Sequence, residues 1–95
     1  MGIDLISALK DTENSFTKKI TLIEKYIKEF SLSNSSNQQK ILSKIKLELD
    51  SMKADLKLMK TDIMSLVQED NKSSFQEKYC SFKSIKDQIE NKVNI

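Results

Sequence analysis

Apolar residues recur along the middle of the chain at alternating steps of three and four positions. The run has no polar interruption and consists of Leu42, Ile45, Leu49, Met52, Leu56, Met59, Ile63 and Leu66. A strand would repeat its apolar positions every two residues and a lone surface helix about every 3.6, whereas this run repeats about every 3.5. The spacing predicts a long helix whose apolar seam packs against nearly parallel partner helices.

The segments on either side of this run are also predicted to be helical. In the first, Leu9, Phe16, Ile23 and Phe30 recur every seven residues, with Ile6, Ile20 and Ile27 beside them. In the last, apolar positions recur at steps of three or four, at Phe75, Tyr79, Phe82, Ile85, Ile89 and Val93. We therefore expect one domain over residues 1–95 with helices at about 3–31, 36–68 and 74–94.

Polar linkers and helix-capping signals set these predicted bounds. In the first linker, Asn34 is the candidate for a left-handed capping residue, because the only glycine of the chain is at position 2. Ser36 with Gln39, and Ser74 with Glu77, fit the spacing of capping boxes, which predicts the starts of the second and third helices.

Short linkers between three helices of similar length predict an all-α fold. The expected architecture is an up-down-up antiparallel three-helix bundle with left-handed, coiled-coil-like packing, monomeric in solution. The chain has no proline to break a helix. The alternative is a coiled coil between chains, but a continuous rod would not need two polar breaks followed by new helix caps.

Composition argues against catalysis. Histidine is absent, so the chain lacks the commonest general base and metal ligand, and Cys80 is the single cysteine. One glycine cannot make a glycine-rich phosphate loop, and the basic residues, all lysines, do not alternate with exposed aromatic residues. We expect a non-enzyme with no catalytic, cofactor-binding or metal-binding residues, no small-molecule substrate and no nucleic-acid partner.

A weaker feature lies opposite the seam of the second helix. Leu47, Ala54 and Leu58 are spaced so that they share its outer face. Scattered exposed apolar residues are common on soluble proteins and need no explanation. The sharper interpretation is a partner-binding surface.

The pattern resembles the N-terminal, Habc-like domain of the Vti family of Qb-type v-SNAREs. The likeness rests on residues 49–63, LDSMKADLKLMKTDI, on residues 75–79, FQEKY, and on Leu5-Ile6-Ser7 with Phe16 further on. It implies a three-helix bundle that precedes a SNARE motif and a C-terminal membrane anchor, neither of which is in this chain. The seam of the second helix has no core glutamine, so that helix is not itself a SNARE motif.

The resemblance implies a regulatory function in vesicle transport between Golgi and endosomes, on the cytosolic face of their membranes. The partners it implies are trafficking proteins, notably the ENTH domain of an epsin-related clathrin adaptor. Contacts with other SNAREs and with the membrane would go through the SNARE motif and the anchor. The alternative function is a coiled-coil scaffold or tether that self-associates.

Overall fold

Three α-helices account for nearly all of residues 4–93, which are the residues that this computed structural model describes. Helix α1 spans Leu5–Leu32, α2 spans Ser35–Met64 and α3 spans Glu69–Val93. The all-α prediction is confirmed over these residues. The predicted helix ends at residues 3 and 94 lie outside them. The Cα atoms extend over 52 × 24 × 16 Å, so the long dimension is somewhat greater than the length of the 30-residue helix α2, about 45 Å.

Helices α1 and α2 run antiparallel. The Gln38 side chain at the start of α2 donates a hydrogen bond to the Phe30 carbonyl near the end of α1, at 2.9 Å. Further along α2, the Asp55 carboxylate lies 2.6 Å from the Lys19 ammonium at the middle of α1. As one helix is followed forward, its partner is met in reverse order.

Helix α3 runs antiparallel to α2 and parallel to α1. Lys53 of α2 pairs with Glu90 near the end of α3, whereas Ile63 near the end of α2 shares a core cluster with Phe75 near the start of α3. On the other side, Phe16 of α1 stacks on Phe82, with ring centroids 4.4 Å apart. The order is up, down, up, so the predicted three-helix bundle is confirmed.

The heptad seam of α2 forms the centre of the core. Its buried residues are Ile41, Ile45, Leu49, Met52, Leu56, Met59 and Ile63. The prediction differs at the start, because Ile41 is buried and Leu42 is only half-buried. A straight α-helix drifts by about 20° per heptad relative to a repeat of 3.5, which brings Ile41 onto the core face at this end.

The flanking helices contribute unequally to this core. Helix α1 buries Leu9, Thr12, Phe16 and Ile23, whereas α3 buries only Phe75 and Ile89. The other apolar residues of α3 are half-buried and pack at the edge of the core: Tyr79, Phe82, Ile85 and Val93. Helix α3 therefore lies on the core with the rings of Tyr79 and Phe82 partly open to solvent.

The turn between α1 and α2 is shorter than predicted, and the prediction for Asn34 was wrong. Asn34 has φ −76° and ψ 172°, which is extended backbone and not left-handed. Its side-chain oxygen accepts a hydrogen bond from the backbone N–H of Asn37 at 3.0 Å, so Asn34 is the N-cap of α2. The predicted capping box is therefore wrong, because α2 already begins at Ser35 and both Ser36 and Gln39 lie inside the helix.

The start of α3 also differs from the prediction. Helix α3 begins at Glu69, so the predicted cap at Ser74 lies inside the helix. Glu69 and Asp70 occupy the first turn, where carboxylates interact favourably with the positive end of the helix dipole. The predicted bounds place Glu69 and Asp70 in the linker before the third helix, but the two residues belong to the first turn of α3. Helix α2 ends at Met64, before the predicted residue 68.

Candidate functional site: the outer surface of α2 and its seam with α3

The predicted partner-binding residues all lie on the exposed side of α2. Leu47 is 67% exposed, Leu58 is 52% exposed, and Ala54 is also exposed. Ala54 and Leu58 are four residues apart and neighbours on the helix surface, whereas Leu47 lies almost two turns before Ala54. The structure places the three residues on one face but in two separate apolar spots.

Leu47, Ala54 and Leu58 form the outer row of α2. Some of the charged side chains of α2 beside this row contact α1. Asp55 accepts a hydrogen bond from the Ser15 hydroxyl at 3.1 Å and from the Lys19 ammonium at 2.6 Å. The Lys44 ammonium lies 5.8 Å from the centre of the Tyr26 ring, within range of a cation–π contact. These contacts hold α1 against α2, and they leave the outer row itself flanked by solvent-exposed side chains such as Asp50.

A second candidate surface, which the sequence analysis missed, is an apolar groove between α2 and α3. It has a volume of about 310 Å³ and is lined by Lys60, Ile63, Met64, Gln76, Tyr79 and Cys80. Met64 is 70% exposed although it adjoins the buried Ile63. In the sequence, Met64 stands one position after the seam residue Ile63. A methionine at that position projects from the edge of the core and not into it, which indicates an exposed apolar side chain.

An apolar pocket also lies at one end of the bundle. Its volume is about 160 Å³ and it lies where the end of α1, the start of α2 and the end of α3 converge. The lining residues are Ile27, Phe30, Ser31, Leu42, Ile45, Lys92 and Val93. Half-buried Leu42 faces this pocket, which explains why the residue departs from the fully buried seam.

Ion pairs connect α3 to its neighbours. The Glu90 carboxylate forms ion pairs with Lys86 on its own helix, at 3.1 Å, and with Lys53 on α2, at 3.4 Å, and Lys86 also forms an ion pair with Asp87 at 3.1 Å. The hydrogen bond from Lys86 lowers the pKa of the Glu90 carboxyl, against an opposing effect of its burial. Burial would lower the pKa of Lys86, but its bonds to Glu90 and Asp87 together outweigh burial and raise that pKa.

Glu13 faces α3 from within the apolar stripe of α1. Both of its carboxylate oxygens lie 3.3 Å from the Lys78 ammonium, and Oε2 accepts a hydrogen bond. Oε1 is buried and, although within ion-pair distance, is not aligned with a donor for a hydrogen bond. This charged residue therefore lies among apolar neighbours of α1 because it forms an ion pair with Lys78 of α3.

Within residues 4–93, no cluster of three or more histidine, cysteine, aspartate or glutamate side chains is placed to hold a metal ion. None of the three helices is both long enough and apolar enough to span a bilayer.

Comparison with protein-family models, with curated proteins and with solved structures finds no match to this chain.

Proposed function

We propose that this chain is the non-catalytic N-terminal regulatory domain of a Vti-like SNARE that acts in vesicle transport between Golgi and endosomes. Its task in this proposal is to bind an adaptor on the cytosolic face of these membranes, so that the SNARE is sorted as cargo. The partner of first choice is the ENTH domain of an epsin-related clathrin adaptor. The proposal starts from the resemblance at residues 49–63 and 75–79.

The observation that most supports it is the burial of the α2 seam inside the chain's own bundle. Met52 and Met59 are almost completely buried, in clusters that also contain residues of α1 and α3. A SNARE motif must leave its heptad seam open for partner helices, whereas this seam is already covered. Such a helix suits a folded module that stands ahead of a SNARE motif and presents its outer surface to partners.

The first test is a titration of the domain with an ENTH domain, measured by isothermal titration calorimetry. We expect binding, and we expect Leu47→Glu with Leu58→Glu to weaken it by at least about tenfold, which is about 1.4 kcal/mol. The matched control is Leu32→Glu with Val67→Glu, which makes the same change of charge at two exposed apolar residues away from the outer row, one at the end of α1 and one in the turn between α2 and α3. Circular dichroism must show native helix content in both variants.

Two results would count against this proposal in different ways. Absence of binding to any ENTH domain would remove the proposed partner. Binding that is equally weakened in the control variant, or unchanged in both variants, would remove the outer row of α2 as the contact surface.

The alternative, a self-associating scaffold or tether, predicts a different mass in solution. A monomer of 11.0 kDa at all concentrations agrees with the proposed module. Because the α2 seam is covered within the bundle, a dimer or trimer would have to open the domain or use its exterior. Light scattering across a hundredfold range of concentration separates the two functions.

A further inference from the structure

We propose that the groove between α2 and α3 is a second docking surface, and that its occupant is an amphipathic helix of a partner protein with apolar residues flanked by carboxylates. This inference goes beyond the proposed SNARE function and does not depend on it. It rests on the shape of the groove, on its apolar floor and on the lysines around it.

The floor of the groove is apolar and concave. Met64 on the α2 side and Tyr79 with Cys80 on the α3 side enclose a volume of about 310 Å³, and the lining surface is mostly apolar. Both Met64 and Cys80 are exposed at its edges. A groove between two helices accepts the apolar side chains that a third helix presents at positions i, i+3 or i+4, and i+7.

Lysines surround this floor on both helices. Lys60 lines the groove, and Lys57 lies one turn before it on the same side of α2. On α3, Lys83 lies one turn after Tyr79 and Cys80. All three lysines are exposed, and none takes part in an ion pair among residues 4–93.

Few carboxylates oppose these charges. Two acidic residues of α3 lie near the groove by helix position: Glu77, one turn before Cys80, and Glu69, two turns before Gln76 on the same side of the helix. Asp87, one turn beyond Lys83, already contacts Lys86 at 3.1 Å. The three exposed lysines outnumber Glu69 and Glu77, so the groove carries a positive excess that carboxylates of a partner would complement.

This charge pattern also decides between possible occupants. A second copy of the chain would bring its own Lys57, Lys60 and Lys83 towards the same three residues, which is unfavourable between like charges. An acidic, amphipathic helix satisfies both the floor and the rim.

Cys80 provides a reporter for this groove, because it is the single cysteine of the chain and is exposed at the edge of the site. The probes are two synthetic helical peptides with the same leucines at i, i+4 and i+7, flanked in one by glutamates and in the other by lysines. The rate of Cys80 alkylation by iodoacetamide is followed by mass spectrometry. At about nine times its Kd, the glutamate peptide should slow alkylation about tenfold by mass action. The lysine peptide should leave the rate unchanged.

A charge-reversal variant tests the lysine rim. Lys57→Glu with Lys60→Glu should lose protection by the glutamate peptide and gain protection by the lysine peptide. The control, Lys40→Glu with Lys46→Glu, makes the same change at exposed residues near the other end of α2 and should behave like the wild type. Lysine and glutamate have similar helix propensities, so both variants should keep native helix content.

Several outcomes would overturn this inference. Protection by neither peptide at millimolar concentration, or equal protection by both, would remove the proposed charge recognition. Protection that grows with protein concentration alone would assign the groove to a second copy. Protection by vesicles containing phosphatidylserine, and not by the peptide, would assign it to a membrane surface. None of these outcomes bears on ENTH binding through the outer row of α2.

Discussion

Helix α2 packs against α1 along one seam and against α3 along another. The contacts along these two seams differ in burial and in ion-pair distance. Towards α1, the largely buried ion pair between Lys19 and Asp55 at 2.6 Å is reinforced by the Ser15 hydroxyl. Towards α3, the ion pair between Lys53 and Glu90 is longer, at 3.4 Å, and more exposed. Helix α1 also buries more side chains than α3 does.

The difference indicates that the two helix pairs of the bundle differ in stability. Buried contacts determine which parts of a small domain open last, and exposed contacts contribute little to stability. The α1–α2 pair is therefore the stable part of the domain, and α3 is the part held more weakly. The groove proposed as a docking surface lies along the weaker seam, where apolar side chains are still accessible.

The largest expected effect comes from matched isoleucine substitutions in one core cluster. Ile23 of α1 is 0% exposed and Ile89 of α3 is 9% exposed, and both belong to the same cluster. Ile23→Ala should lower the free energy of unfolding by about 4 kcal/mol and Ile89→Ala by about 2 kcal/mol, because a fully enclosed side chain leaves the larger cavity. Urea denaturation followed by circular dichroism measures both.

A milder pair protects this comparison from a variant that fails to fold. Ile23→Val and Ile89→Val each remove one methyl group, and the first should cost about 1 kcal/mol and the second less. An equal or larger loss at position 89 in either pair would show that the two seams do not differ as described.

A smaller effect is expected from the two ion pairs. Asp55→Asn removes the carboxylate that Lys19 and Ser15 share and leaves the largely buried ammonium without its partner, at a cost of about 1–3 kcal/mol. Lys53→Met removes the exposed partner of Glu90 and should cost less than about 1 kcal/mol. Asp50→Asn, at an exposed position of the same helix, is the control and should be close to neutral.

The order of these three losses is the quantity to measure, in thermal or urea denaturation at one ionic strength. If Lys53→Met were as costly as Asp55→Asn, the α2–α3 ion pair would be worth more than its exposure implies.

The smallest effect is the pH dependence of the α3 ion pairs. The folded-state pKa of Glu90 lies below its ordinary value of 4.5. Its contribution is therefore complete above pH 4.5 and is lost as the pH falls through the lower, folded-state pKa. The stability difference between the wild type and Glu90→Gln should shrink over that acidic range, by less than about 1 kcal/mol.

The same ion pairs should weaken at the alkaline end. The folded-state pKa of Lys86 lies above its ordinary value of 10.5, so its contribution is complete below pH 10.5 and is lost as the pH rises through the higher, folded-state pKa. Lys86→Met should flatten this loss. A stability difference for either variant that does not change with pH would contradict the assignment of these ion pairs.

The sequence predicted the helix-on-helix fold because its strongest signal, the heptad of α2, is a core signal. Burial is imposed at every turn, so the period survives in residues such as Met52 and Ile63. The sequence did not predict the difference between the two seams. Phe82 and Ile23 look equally apolar along the chain, but only one of them is enclosed, and enclosure depends on where the third helix lies.

Helix ends and surface sites were predicted less well, for local reasons. Asn34 can cap the start of a helix or adopt a left-handed turn at the end of one, and the sequence does not separate these uses. Glu69 reads as a solvated loop residue or as a first-turn carboxylate. The position of Met64 next to the seam indicates an exposed methionine, but the groove itself needs α2 and α3 side by side, so no pattern within one helix reveals its shape.

Native-state hydrogen exchange tests the central comparison most directly, because it measures the opening of each helix in the intact domain. We predict that amides at the middle of α1 and α2, such as those of Ile23 and Met52, exchange only through global unfolding, with the free energy given by urea denaturation. Amides at the middle of α3, such as that of Ile85, should exchange through a partial opening that is about 1–2 kcal/mol easier. Equal protection of all three helices, or protection of α3 above that of α1, would contradict a bundle built on a stable α1–α2 pair with a weaker third helix.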